Sequence, residues 1–229
     1  MSAVRNLLHR AESVLVQTVL RGLICLFFRP QKRYISDKAR MEAFSGPCVI
    51  VSNHVRGFDG GVILTMLWGK RITGLVAKDM GDNNRTLAWF LKFLPTMPID
   101  REHPSLSWLR DSRKLLKNGE MIYMCPEGKC NFDRVTQPFK TGCVLLAAMA
   151  GVPSVPVYHN GIYRILFGRR WRMMIGEPIT VTPPPDGLNE EEMQREADAL
   201  YHGMQELEAA LTGTVRTEET AAAERKRRR

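Results

Sequence analysis

Cys48-Val49-Ile50-Val51-Ser52-Asn53-His54-Val55-Arg56-Gly57-Phe58-Asp59-Gly60-Gly61 decides how the rest of the chain is read. The apolar run 49–51 predicts a buried strand, and Ser52-Asn53-His54 predicts the turn at its C-terminal end. Residues 62–67 predict a helix, with Asp59 capping its N-terminus. In open α/β sheets, ligands bind just beyond the C-terminal ends of strands. A histidine and an aspartate placed there can act as a pair. The carboxylate holds one ring nitrogen, and the other is left free to take a proton. A histidine near an aspartate is also common in purely structural settings, so the pair gains its weight from the rest of the chain.

Outward from this stretch, strands alternate with helices. Strands are expected over 72–77, 121–124, 154–158 and 172–175, an extended segment over 95–101, and helices over 104–117 and 142–150. Gly119 stops the first of these helices. The alternation predicts an α/β fold, a central mixed sheet flanked by helices on both faces. Four regions are expected: an N-terminal helix within 1–28, a main domain over 29–188, a C-terminal helix over 189–212 capped by Asn189, and a disordered basic tail over 213–229.

The N-terminal helix has an apolar stripe at helical spacing, Val4, Leu7, Leu8, Ala11, Val14 and Leu15, and becomes apolar nearly all round from 19 to 28. That stretch is short for a membrane span, which needs about 20 such residues. No small-residue cleavage site suggests a signal peptide. An amphipathic helix lying in the membrane interface fits best, and a core helix folded back on the domain is the structural alternative.

The 229-residue chain carries a net charge of +9, part of it in Arg225-Lys226-Arg227-Arg228-Arg229. Such a balance favours phosphate-bearing substrates or anionic lipid surfaces. Nothing resembles a nucleic-acid module, so no nucleic-acid partner is expected. The five cysteines include no CxxC pair, and a zinc site from Cys125, Cys130 and Cys143 fits no common spacing. They predict free thiols in a reducing compartment, and no metal.

Further on come Pro98-Ile99-Asp100-Arg101, Cys125-Pro126-Glu127-Gly128, Phe139-Lys140-Thr141-Gly142 and Val152-Pro153-Ser154-Val155-Pro156-Val157. With Asn53-His54 and Asp59, their order and spacing resemble the sequence blocks of the glycerolipid acyltransferases, a family that includes the lysophosphatidate acyltransferases. The resemblance spans roughly residues 45–180. It implies transfer of a fatty acyl group from an acyl-CoA or acyl-carrier-protein thioester to the hydroxyl of a lysophospholipid acceptor, lysophosphatidate giving phosphatidate. It implies no cofactor beyond the acyl donor as co-substrate, and lipid substrates suit the membrane role that the N-terminal helix, the free thiols and the net charge predict: peripheral or monotopic, at the cytoplasmic face of the cell membrane, on a surface with anionic lipids.

On this resemblance His54 is the general base and Asp59 its orienting partner. Arg101 is the leading ligand for an acceptor phosphate, because a guanidinium can grip phosphate with two parallel bonds. Glu127 and Gly128 match the third block, and Lys140 is a second phosphate candidate. The chain departs from the family after Glu-Gly, where Thr-Arg-Ser is usual and Lys129-Cys130-Asn131 stands. An arginine is therefore missing at Cys130. Lys129 or Arg56 could supply the cation, or the acceptor could be a different lyso-lipid. Cys125 as an acyl-carrying nucleophile is disfavoured against a plain apolar role. A hydrolase, or a non-catalytic lipid- or acyl-carrier-binding protein of the same fold, stays open as an alternative.

Overall fold

The computed structural model describes residues 2–67, 69–81, 91–100, 106–164, 168–181 and 189–227. Its centre is β2 (Val49–Ser52), buried at all four positions. Parallel neighbours lie on both sides, β5 (Met121–Met124) and β6 (Ser154–His159). A near-continuous apolar run is what a strand covered on both faces requires. With β1 (Gln31–Tyr34), β3 (Ile72–Ala77), β4 (Thr96–Ile99) and β7 (Arg172–Ile175), the described residues form a seven-stranded sheet in the order β1-β7-β6-β2-β5-β3-β4. Only the β6–β7 pair is antiparallel among these neighbours, so the sheet is mixed, as predicted.

Side chains alternate between the two faces with the strand period of two. Val49, Val51 and Ile122 enter a core shared with α4 (Ser107–Lys117), α5 (Gly142–Ala150) and α6 (Glu190–Thr212), through residues such as Leu116, Leu146 and Leu207. Ile50, Tyr123, Val155 and Val157 enter a second core with Val62 and Ile63 of α3 (Asp59–Met66). Ile24 and Phe28 of α1 (Ser2–Phe28) pack against that second core. The helices thus cover both faces. Asn189 caps α6 as expected, in a reciprocal capping box with Glu192.

The N-terminal helix folds back on the domain along one side. Its Ile24 and Phe28 face the domain, and the Gln17 amide donates to the Phe93 carbonyl at 2.6 Å. Its opposite side leaves Leu15, Val19, Leu23 and Leu26 exposed, at 65%, 52%, 44% and 59%. These four positions recur on one side of a 3.6-residue helix. No helix among the described residues is long and apolar enough to cross a membrane.

Two expectations are corrected, and one strand goes beyond those expected. Residues 31–34, a polar stretch with no apolar alternation, form the edge strand β1, paired to β7 and with Tyr34 packed against the second core. Asp59 is the first residue of α3 rather than its cap; Phe58 holds the cap position, with no side-chain bond. The Asp59 carboxylate turns back to the amides of Val55 and Arg56 instead. The segment after Gly213 is not wholly irregular. A short helix, α7 (Glu218–Arg227), docks on the domain with Ala221 fully buried. Charge pairing ties it down. Arg216 grips Glu224 through two bonds of 3.0 Å, and Arg225 pairs with Asp133 at 3.0 Å.

Candidate active site

The C-terminal ends of β2, β5 and β6 converge on one turn. Asn53 follows β2 and ties it to β6 beyond their last ladder pair. Its amide donates to the His159 carbonyl, and its Oδ1 accepts from the His159 N–H, both at 2.9 Å. The next residue, His54, is thereby held at the rim with its side chain 15% exposed.

His54 Nδ1 lies 3.2 Å from Asp59 Oδ2. That oxygen also accepts from the amides of Val55 at 2.6 Å and Arg56 at 2.7 Å. The other carboxylate oxygen accepts from the Tyr163 hydroxyl. Asp59 is fully buried, yet every donor around it favours the charged form. Burial alone would raise its pKa. The Nε2–H of the neighbouring His159, then His54, Tyr163 and the Arg56 amide, overcome that and hold the carboxyl below its ordinary range.

His159 approaches Asp59 Oδ2 to 3.6 Å. It is neutral rather than an ion-pair partner. Its Nδ1 accepts from the Gly161 amide, which an imidazolium cannot do, and its Nε2 donates to the Asn53 carbonyl. Burial pushes its pKa down, consistent with that tautomer. For His54 burial also pulls downward, but the bond to Asp59 and the contacts with Cys125 and Cys130 outweigh it, so the pKa rises.

The outer nitrogen of His54 does not face open space. Its Nε2 meets Cys130 Sγ at 3.2 Å. The position where an arginine was missing thus places a thiol on the base itself. Glu127 Oε1 accepts from the His54 amide at 3.0 Å, and its Oε2 is buried. Burial pushes the Glu127 pKa up to about 8. Gly128 has φ +73°, and a Cβ there would come within 2.9 Å of Lys140 Nζ. Gly128 and Lys140 therefore sit side by side, with the lysine exposed. Lys129 is exposed as well. The Arg56 guanidinium lies over the Phe132 ring, 5.8 Å from its centroid. Arg101 lies outside the described residues.

Glu127 makes stability depend on pH. The folded carboxyl keeps its proton to about pH 8, whereas the unfolded one releases it near the ordinary value of 4.5. The folded state binds more protons in that window, so this group's contribution is full below it and is lost as pH rises through it. Glu127→Gln is expected to flatten that decline. Urea midpoints of the two proteins at both ends of the window check it; parallel declines would mean that Glu127 is ionised in the fold.

A groove of about 720 Å³ opens beside this turn, lined by Phe58, Gly61, Leu64, Gly74, Tyr123 and the inner face of α1. Its walls are mainly apolar, and its size is that of a pocket for one elongated small ligand. A Cβ at Gly60 would come within 3.0 Å of the Tyr123 ring, so this glycine lets α3 lie close against that ring.

His159, Tyr163 and the tethering role of Asn53 were not singled out from the sequence. One signal was available: His159 ends β6, the strand beside β2, at the edge where ligands bind in such sheets.

A family model described as Acyltransferase matches residues 15–160. The 1-acyl-sn-glycerol-3-phosphate acyltransferase of Bacillus subtilis is 32% identical over 131 residues, 56% of this chain and 65% of that protein. The human 1-acyl-sn-glycerol-3-phosphate acyltransferase alpha is 26% identical over 164 residues, 70% of this chain and 58% of that one. The matched stretch thus spans under two thirds of either relative. The crystal structure of the 1-acyl-sn-glycerophosphate (LPA) acyltransferase PlsC of Thermotoga maritima shares the fold. Its TM-score is 0.55 at 19% identity, covering 91% of this chain and 98% of that one.

Proposed function

The chain belongs to the acyltransferase family, and from that premise we propose that it moves a fatty acyl group from a thioester to the free hydroxyl of lysophosphatidate, giving phosphatidate. The observation that carries the reading is the His54–Asp59 contact on a turn whose Gly57, Phe58 and Gly60 line an apolar groove. A hydroxyl is a weak nucleophile near neutral pH and needs a positioned base. The acceptor hydroxyl would displace the Cys130 thiol from His54 Nε2 and give its proton there. Its oxygen attacks the thioester carbonyl, the tetrahedral adduct collapses, and the departing thiolate takes the proton back from His54. Asp59 holds the ring by Nδ1 and stabilises the imidazolium throughout. The acyl chain lies in the groove, and Glu127, Gly128 and Lys140 border the acceptor, with Lys129 and Arg101 as further cations. The scheme draws on no metal or prosthetic group; acyl-CoA or acyl carrier protein is a co-substrate.

The exposed face of α1 would rest in an anionic lipid surface, apolar stripe inward. Five free thiols suit the cytoplasmic side of the cell membrane. A different lyso-lipid acceptor is the second reading, favoured by Cys130 standing where the family's arginine would contact phosphate. The test is thiol release from oleoyl-CoA and from oleoyl-acyl carrier protein on anionic vesicles, with lysophosphatidate or other lyso-lipids, and products weighed by mass spectrometry. Phosphatidate formation supports the first reading, and product only with another lyso-lipid supports the second. Free fatty acid alone would mean a hydrolase. Leu15→Asp with Leu23→Asp is expected to release the protein from the vesicles, and unchanged binding would place the lipid contact elsewhere.

A further inference from the structure

The turn that carries His54 and Asp59 separates two cavities of opposite character. Gly57 and Phe58 line the apolar groove, whereas Val55 and Arg56 line a second cleft of about 670 Å³. Its far wall is α7 and the segment before it. The cleft gathers six arginines, at positions 56, 134, 164, 169, 216 and 225, against two carboxylates, Asp133 and Glu224. The carboxylates are already engaged. Glu224 is gripped by Arg216 and approached by Arg134 at 3.6 Å, and Asp133 pairs with Arg225. Among the described residues no carboxylate pairs with Arg56, Arg164 or Arg169. Three guanidinium groups therefore face a cavity of ligand size with their charge uncompensated, a standing attraction for phosphate. At the same cleft Phe132 is 69% exposed, with Arg56 over one face of its ring. An exposed aromatic ring beside phosphate-binding arginines suits a nucleotide base, which can stack on it.

We infer that this cleft binds the phosphorylated nucleotide end of a coenzyme A thioester, so that the donor lies across the turn with its acyl chain in the apolar groove and its thioester carbon at His54. The inference rests on the acyl-transfer reading and names the donor for it. The nucleotide's phosphates lie on Arg56, Arg164 and Arg169, and its adenine on Phe132. The cleft forms only when α7 is docked, which gives the C-terminal segment a role in donor binding.

Two measurements test it. Titration calorimetry of the intact protein with adenosine 3′,5′-bisphosphate, the nucleotide fragment of coenzyme A, is expected to show binding. Arg164→Ala with Arg169→Ala, and separately Phe132→Ala, should weaken it by about tenfold or more, the size of one lost charge-assisted contact or stack. In the transfer assay the same variants should raise the KM for oleoyl-CoA by a similar factor. The KM for oleoyl-pantetheine, which lacks the nucleotide, and that for lysophosphatidate should stay put. A change confined to the lysophosphatidate KM would make the cleft the acceptor's phosphate site and overturn the inference. Equal effects on both donors, or transfer that proceeds with no bisphosphate binding, overturn it too. Bisphosphate binding that depends on these residues, in a protein that transfers to no acceptor, would uphold the cleft and count against the proposed reaction alone.

Discussion

Replacing His54 by alanine is expected to lower kcat/KM for acyl transfer by roughly 10³-fold or more, the upper part of the range for a lost general base. At about 1.4 kcal/mol per tenfold, that is about 4 kcal/mol of transition-state stabilisation. The fold should survive. The His54 side chain sits at the rim, and Asp59 keeps the Val55 and Arg56 amides and the Tyr163 hydroxyl after the ring is gone. Kinetics and a urea melt on the same preparation check both halves. A soluble, folded His54→Ala protein that keeps more than a small share of wild-type turnover would end the base assignment. The wild-type pH profile bears on the same point. Asp59 and the two thiols raise the His54 pKa despite burial, so the neutral base form grows as pH climbs. The acid limb of kcat/KM should therefore lie above the ordinary histidine range, with activity rising along it.

This pair was legible because its members are five residues apart and follow a buried apolar run, so local pattern alone placed them at a strand end. The same local logic located β3, β5, β6 and β7. It failed where burial is not written as hydrophobicity. The strand β1 is Gln31-Lys32-Arg33-Tyr34, an edge element held by backbone pairing with β7 and by one aromatic ring on the core. The helix α7 buries one alanine and is otherwise tied down by Arg216, Glu224 and Arg225, so its composition reads as solvated tail. The second half of the site failed for a different reason. His159 and Tyr163 reach Asp59 across more than 90 residues of sequence, through the parallel pairing of β2 with β6, and no spacing rule encodes that approach. Cys130 shows the limit of resemblance. Resemblance marks only an arginine missing there, whereas its position on the His54 ring follows from the turn after Glu127, where the Asn131 amide bonds the His54 carbonyl at 2.7 Å.

Replacing Asp59 by asparagine should be nearly as damaging as losing the base, and by a different route. The carboxylate accepts from two backbone amides, the Tyr163 hydroxyl and the His54 ring, and His159 lies against it. Asparagine keeps the shape but has one acceptor oxygen and a donor amide. If the oxygen stays on the Val55 and Arg56 amides, the new N–H₂ group faces Tyr163, whose hydroxyl must turn to accept. If the amide flips, the Val55 and Arg56 amides lose their partner, at about 1–3 kcal/mol for the buried Val55 donor. In either orientation the negative charge that favours the imidazolium is gone. The His54 pKa then falls, because burial, the influence Asp59 had overcome, is left less opposed. The acid limb of kcat/KM should move to lower pH while the plateau drops by about 10²–10⁴-fold, as when the carboxylate of a histidine-based catalytic pair is neutralised. Those two changes in opposite senses separate an orienting carboxylate from a merely structural one. A purely structural Asp59 would lower activity and stability together and leave the limb where it was. A limb that stays fixed in a folded Asp59→Asn protein would therefore remove Asp59 from the mechanism, even with activity reduced.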